Sequence, residues 1–92
     1  MPGTRDEHFL RIAGHTVTVT GESGWIRARW TLSIDGRPVD GAETAGGDLV
    51  LRGDLPDGSA VCAEVHQGAL GPTRVVVHHG AGTEARFTGF VL

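Results

Sequence analysis

Cysteine, carboxylate and histidine side chains alternate with apolar ones in the segment AVCAEVHQ, residues 60–67. In an extended strand, successive side chains point to opposite faces. We therefore expect Cys62, Glu64 and His66 to share one face of a strand, with valine and alanine side chains on the other. Thiolates, carboxylates and imidazoles bind transition metals, so this face is a candidate site for chemistry.

The next predicted strand brings further histidines to the same place. Residues 68–72 are expected to form the loop between the two strands. Antiparallel pairing across this loop places His78 opposite Cys62. It also places Arg74 opposite His66, and directly opposed Cβ atoms lie about 4.5–5.5 Å apart. The candidate metal site, for zinc or copper, therefore consists of four residues: Cys62, Glu64, His66 and His78.

The same residues allow two other interpretations. A Cys62–His78 pair could hold an activated thiolate that acts as a nucleophile. Alternatively, Cys62 is a small buried apolar residue, and the histidines are ordinary polar surface of a sheet. A shift of the register by one residue would separate Cys62 from His78, so the metal site depends on that register.

Two further features favour contacts with other macromolecules. Arg27 and Arg29 share one face of a predicted strand and form a basic stripe. At the end of the chain, Phe90, Val91 and Leu92 form an apolar strand end. This end either closes the core or offers an edge to a second copy or another protein. Binding to nucleic acid is disfavoured, because the net charge is -3 and stacking aromatics do not accompany the arginines.

Short alternating segments separated by glycines predict the elements that position these side chains. We expect about eight antiparallel strands and no helix. The predicted strands cover residues 8–13, 15–20, 25–34, 37–39, 48–52, 59–66, 73–79 and 83–91. This pattern predicts an all-β, single-domain antiparallel β-sandwich or small barrel. The domain is expected to cover residues 8–92, after a loosely ordered segment at residues 1–7.

Turn residues mark the ends of several predicted strands. Asp35-Gly36 closes the clearest strand, RWTLSI, because glycine adopts positive φ without strain. GESG at residues 21–24 and GDLPDG at residues 53–58 are also expected to be turns. GAETAGG, at residues 41–47, is expected to be a loop of small residues.

Composition excludes several classes of function. The 92 residues contain no lysine and no tyrosine, which excludes Schiff-base chemistry and a phenolic acid. A single cysteine cannot form an internal disulfide. No apolar run approaches the roughly 18 residues of a membrane helix, and the N-terminal region is acidic where a signal peptide is apolar. We therefore expect a small cytoplasmic protein without a membrane partner, and arginine in place of lysine is typical of a bacterial genome rich in G+C.

The order of these segments resembles one module of the Fas apoptotic inhibitory molecule family. In that family a strand, a G-x-S-G-like turn and a strand ending in V-D-G plus a basic residue follow one another. Here the corresponding segments are HTVTVT, GESG and WTLSIDGRPV. LRGDLPDGSAVCAEV and RVVVHHG match the remaining strands of such a module. The resemblance implies a compact β-sandwich with a protein-interaction role and no active site.

These observations predict a small soluble, non-enzymatic interaction module that needs no cofactor. Its partner would be another protein or a second copy of the chain, bound through the arginine stripe or the C-terminal edge. The alternative is a small transition-metal-binding protein that uses Cys62, His66 and His78. An enzyme ranks third, because no catalytic motif is present and the chain is barely large enough to enclose a pocket.

Overall fold

The computed structural model describes residues 5–24, 27–67, 72–80 and 82–91. These residues form eight strands in two antiparallel sheets of four, with strand orders β1-β2-β3-β4 and β5-β6-β7-β8. The strands are β1 (Arg5–Ile12), β2 (His15–Ser23), β3 (Ala28–Ile34), β4 (Arg37–Thr44), β5 (Gly47–Asp54), β6 (Ala60–Gln67), β7 (Pro72–His79) and β8 (Gly82–Val91). The predicted all-β antiparallel architecture is confirmed. Within the described residues, no helix has the length and hydropathy to cross a membrane.

The core lies between the two sheets and is built from the apolar positions of the alternating strands. Among the side chains that the structure describes, Trp30 is the largest fully buried one. The buried apolar residues of this described part are Ile12, Val17, Val19, Ala28, Trp30, Leu32, Ile34, Leu51, Leu55, Val61, Ala63, Val65, Val75 and Val77. Because side chains alternate along each strand, the intervening residues form the two outer faces of the sandwich.

The Asp35-Gly36 turn does more than reverse the chain. Both residues have positive φ, 52° and 83°, as in the two-residue turns that match the twist of a hairpin. The Asp35 carboxylate lies 2.7 Å from Nδ1 of His15 and accepts the backbone N–H of Thr16 at 3.0 Å. The Asp35 backbone N–H donates to the Thr16 carbonyl at 2.8 Å. This turn therefore ties the β3–β4 hairpin to the start of β2.

Acidification is expected to weaken this link. The hydrogen bond with His15, and then that from the Thr16 N–H, lower the pKa of Asp35 below its usual value. A lowered folded-state pKa gives stability that is full above the unfolded-state pKa of about 3.9 and is lost as pH falls through the folded-state pKa. The free energy of unfolding of Asp35→Asn should therefore lie below that of the unmodified protein at neutral pH, and the difference should shrink as the pH falls below the unfolded-state pKa of about 3.9.

Urea unfolding across this pH range measures the effect. Asp54→Asn, which removes one exposed carboxylate from the second sheet, is the control and should show no comparable narrowing. The prediction would be contradicted if the two proteins differed in free energy of unfolding by the same amount at neutral and at acidic pH.

Four predicted boundaries are wrong. Strand β5 runs to Asp54, so the turn expected at residues 53–58 begins two residues later. The first strand begins at Arg5, so residues 5–7 belong to the sheet, while residues 1–4 lie outside the described residues. The predicted turn at residues 21–24 is strand as far as Ser23. The predicted loop at residues 41–47 is mostly strand, since β4 ends at Thr44 and β5 starts at Gly47. The small residues of this segment serve packing, because Ala42 lies opposite the large Trp30.

Side-chain contacts join the two sheets at both lateral seams, where β4 meets β5 and β1 meets β8. At the β4–β5 seam, the Asp40 carboxylate accepts the backbone N–H of Arg52 at 2.9 Å. Gly53 packs there so closely that a Cβ on it would lie 2.6 Å from Val39. At the β1–β8 seam, the rings of His8 and Phe87 stack with centroids 4.8 Å apart. A strand from another chain would have to displace these contacts before it could pair at either seam.

Candidate functional site

The outer face of the second sheet brings together the residues of the candidate metal site. The predicted register is confirmed, since Cys62 lies opposite His78 and His66 lies opposite Arg74. Val61, Ala63 and Val65 point into the core, so the cysteine and its polar neighbours lie on the outer face. The face also carries three residues of β5 at the paired positions: Asp48, Val50 and Arg52.

A chain of carboxylate and imidazole groups runs across this face. The Glu64 carboxylate lies 3.1 Å from Nε2 of His78 and 3.4 Å from Nε2 of His66. On its other side, Nδ1 of His66 lies 3.3 Å from the Asp48 carboxylate. Sequence reasoning placed Glu64 and the two histidines together but missed Asp48, which comes from the strand on the other side of β6.

The proton count of His66 limits how this network can be satisfied. A neutral imidazole has one N–H and can donate to one acceptor, whereas an imidazolium donates from both nitrogens. Each ring nitrogen of His66 faces a carboxylate, Asp48 on one side and Glu64 on the other, and of these two contacts the one to Glu64 has hydrogen-bond geometry. A single ring N–H of His66 can be donated to one of these carboxylates and not to both.

The side chains do not form a ready metal cage. In the part of the chain that the structure describes, no three histidine, cysteine, aspartate or glutamate side chains converge as a metal-binding group. Glu64 lies between the two histidines, and Cys62 is a half-buried free thiol on the same face. Zinc and copper binding by Cys62, Glu64, His66 and His78 therefore stays a prediction.

A second polar cluster, which sequence reasoning missed, lies where β5 turns into β6. The Asp57 carboxylate accepts the Ser59 backbone N–H at 2.8 Å and lies 2.5 Å from the Ser59 hydroxyl oxygen. Nε2 of His79 lies 2.8 Å from that same oxygen. The hydrogen bond from the Ser59 hydroxyl, then that from its backbone N–H, lower the pKa of Asp57.

The proton of the Ser59 hydroxyl decides what this cluster does. A hydroxyl has one proton to donate, and the short contact assigns it to the ionised Asp57. Nε2 of His79 is then the donor to the Ser59 oxygen rather than a base that removes its proton. A serine nucleophile needs the opposite arrangement, with a base accepting its proton, so this cluster is a turn-stabilising network.

The arginine stripe lies on the outer face of the first sheet, where acidic residues lie beside it. Arg27 is exposed just before β3, and Arg29 points outward from that strand. The register places Arg29 directly between two acidic residues, Glu22 on β2 and Glu43 on β4. Arg29 therefore belongs to a face of alternating charge rather than to a uniformly basic one.

An exposed aromatic side chain and a group of hydroxyls occupy the rest of this outer face. Phe9, on β1, is 68% exposed, the largest exposed fraction among the large apolar side chains described. The hydroxyl patch beside it consists of Thr18, Thr20, Thr31 and Ser33. Phe9 was not singled out from the sequence. It alternates with His8 and Leu10 and shares its side of β1 with the charged Glu7 and Arg11, so this pattern could have placed it on the outer face.

Most of the predicted C-terminal edge lies outside the described residues. Phe90 and Val91 belong to β8 by backbone, but their side chains lie outside the described residues, as does all of Leu92. The interface role of these three residues stays a prediction.

Comparison with family models, with curated proteins and with solved structures finds no match to this chain. The surfaces of the chain itself therefore indicate what it can bind.

Proposed function

We propose that this protein is a small non-enzymatic interaction module that binds a protein partner through the outer face of its first sheet, β1–β4. The observation that carries the proposal is the 68% exposure of Phe9 in the middle of a strand on that face. Aromatic side chains are enriched at protein interfaces and dominate their energetics. The hydroxyl patch beside Phe9 lines a shallow depression together with Arg5, Glu7 and Glu22, so hydrogen-bonding and charged groups surround the aromatic ring.

The side-chain contacts at the two seams favour an outer sheet face over a sheet edge as the binding surface. Asp40 satisfies a backbone donor of β5, and the His8–Phe87 stack covers the other seam. A partner strand would have to displace these contacts before it could pair. The resemblance to the Fas apoptotic inhibitory molecule family, with its non-enzymatic β-sandwich modules, agrees with this proposal and remains a hypothesis.

A charged substitution on this face tests the proposal. We expect Phe9→Glu to abolish capture of the partner, detected by chemical cross-linking of tagged protein in lysate of the cells that produce it. Val50→Glu is the matched control, since Val50 is an exposed apolar residue, 46% exposed, on the outer face of the other sheet. Loss of the partner in Val50→Glu with retention in Phe9→Glu would overturn the assignment of the face.

Transition-metal binding on the second sheet is the second candidate. It rests on the proximity of Glu64 to both imidazoles, since Nε2 of His78 lies 3.1 Å from one carboxylate oxygen and Nε2 of His66 lies 3.4 Å from the other. Carboxylate, imidazole and thiolate groups are all zinc ligands. Because the two histidines face different oxygens of Glu64, they would have to move toward each other, and Cys62 toward them, to surround one ion.

A further inference from the structure

One row of side chains crosses the whole outer face of the first sheet with alternating charge. The register places Arg5 opposite Glu22, Glu22 opposite Arg29, and Arg29 opposite Glu43. We call these four residues the charge row. All four are exposed, and the sign of the charge changes at each step from β1 to β4.

The side chains of the charge row are largely available to another molecule. On this face, Arg5 forms an ion pair with Glu7, a neighbour on the same strand, at 3.5 Å. Glu22, Arg29 and Glu43 form no ion pair within 4.0 Å among the described residues, although they are neighbours across the strands. Their charges are therefore not already neutralised by short pairs within the sheet.

We infer that the partner of this face is a second copy of the same chain, docked face to face about a two-fold axis that runs parallel to the strands between β2 and β3. This inference rests on the proposed function and names its partner. A two-fold interface brings the same surface of both copies together, so each residue must suit its symmetry mate. Rotation about this axis places β1 over β4 of the second copy and β2 over its β3.

This rotation reverses the order of the charge row, so that every charge meets its opposite. Arg5 faces Glu43 of the second copy, and Glu22 faces its Arg29. The two-fold axis repeats both pairs, and no like charges of the row oppose each other. An axis perpendicular to the strands would instead place the charge row over Phe9 and the hydroxyl patch, which offers no complementary charge.

The remaining rows also match under the same rotation. Phe9 lies opposite Thr18, and Thr18 opposite Ser33, which in turn lies opposite Pro38. Phe9 therefore faces the exposed Pro38 of the second copy and loses its contact with water. In the middle row, Thr20 faces Thr31 of the second copy, so hydroxyls meet hydroxyls and each can donate and accept. Glu7, which is paired with Arg5 of its own chain, faces Gly41 of the second copy and meets no like charge.

The size of the face predicts a weak association. Four strands spaced about 4.8 Å apart, each of about eight residues rising about 3.3 Å, cover about 500 Å². Stable interfaces bury about 800 Å² on each partner. Because ionic contacts contribute strongly, we expect a concentration-dependent dimer that weakens as added salt screens the charge row.

Charge reversal in two separate chains tests the inference. Sedimentation velocity at low salt should show the unmodified protein as a concentration-dependent dimer, and Arg29→Glu and Glu22→Arg each as a monomer. An equal mixture of the two variants should dimerise again, because Arg29→Glu in one chain then faces Glu22→Arg in the other. A folding defect would not be repaired by mixing, and far-UV circular dichroism of each variant confirms that it is folded. Arg74→Glu, the same charge change on the other sheet, is the control and should dimerise normally.

The outcomes separate this inference from the proposed function. Monomers of the unmodified protein at every concentration, or variants that dimerise as well as it does, would overturn the second copy as partner. If another protein is then captured and is lost on Phe9→Glu but kept in Val50→Glu, the binding face stands and only its occupant was wrong. If neither self-association nor capture depends on Phe9, both proposals fail.

Discussion

Gly21→Ala is expected to destabilise the domain by about 3 kcal/mol, through overpacking of a filled core. Gly21 lies opposite Trp30 across the β2–β3 pair, and the indole ring lies flat over it. A Cβ on Gly21 would lie 2.7 Å from Cε3 of Trp30 and still closer to Cζ3 and Cη2. Since Trp30 is fully buried, its ring has no free space into which it can move.

Gly41→Ala provides the matched control for this substitution. Gly41 is also a strand glycine beside Trp30, but its nearest neighbour to a new Cβ is the Trp30 carbonyl oxygen at 3.5 Å, an ordinary contact. Replacing glycine there should change the free energy of unfolding by less than about 1 kcal/mol. Urea unfolding measures both variants, and equal losses for Gly21→Ala and Gly41→Ala would show that the Trp30 ring does not impose the constraint.

Gln67→Leu is expected to lower the free energy of unfolding by about 1–3 kcal/mol, because a buried polar group loses its partner. Gln67 is 7% exposed, and its Oε1 accepts the indole N–H of Trp30 at 3.2 Å. Its amide nitrogen donates to the Gly47 carbonyl at 3.3 Å. The side chain therefore links β3 of one sheet to both β5 and β6 of the other.

A double-mutant cycle isolates the Trp30–Gln67 bond. Trp30→Phe removes the indole donor of this hydrogen bond. In that background, Gln67→Leu should lower the free energy of unfolding by about 1 kcal/mol less than it does in the unmodified protein, because the hydrogen bond is already absent. Chemical denaturation of the four proteins gives the coupling. Strict additivity would mean that the 3.2 Å contact contributes nothing to stability.

Alternation along β6 and β7 was enough to predict which side chains share a face, but it could not fix the register that joins Cys62 to His78. A loop at residues 68–72 gives the observed pairing, and a shift of one residue would have removed it. The segment at residues 41–47 was misinterpreted because glycine and alanine are typical of loops. Here the small size of Ala42 suits its position opposite Trp30, a requirement that appears only once the strands are paired.

The surfaces proposed for function were harder to predict than the fold. The charge row needs the register of three successive strand pairs, and each strand contributes a single member of it. The Asp57–Ser59–His79 cluster depends on a contact between residues 20 positions apart in the chain. A local signal was present, since aspartate two residues before serine favours a side-chain-to-backbone turn, but it does not reveal the histidine.

Every ladder in both sheets joins strands that follow each other directly in the chain. Pairings of this kind close only short loops, so the entropy lost before each contact forms is small, and folding should be fast for an all-β protein. Each half of the chain can complete its own sheet without waiting for the other. The meeting of β1 with β8 at the His8–Phe87 stack requires the whole chain, which makes this seam the last to close during folding and the first to open when the native protein fluctuates.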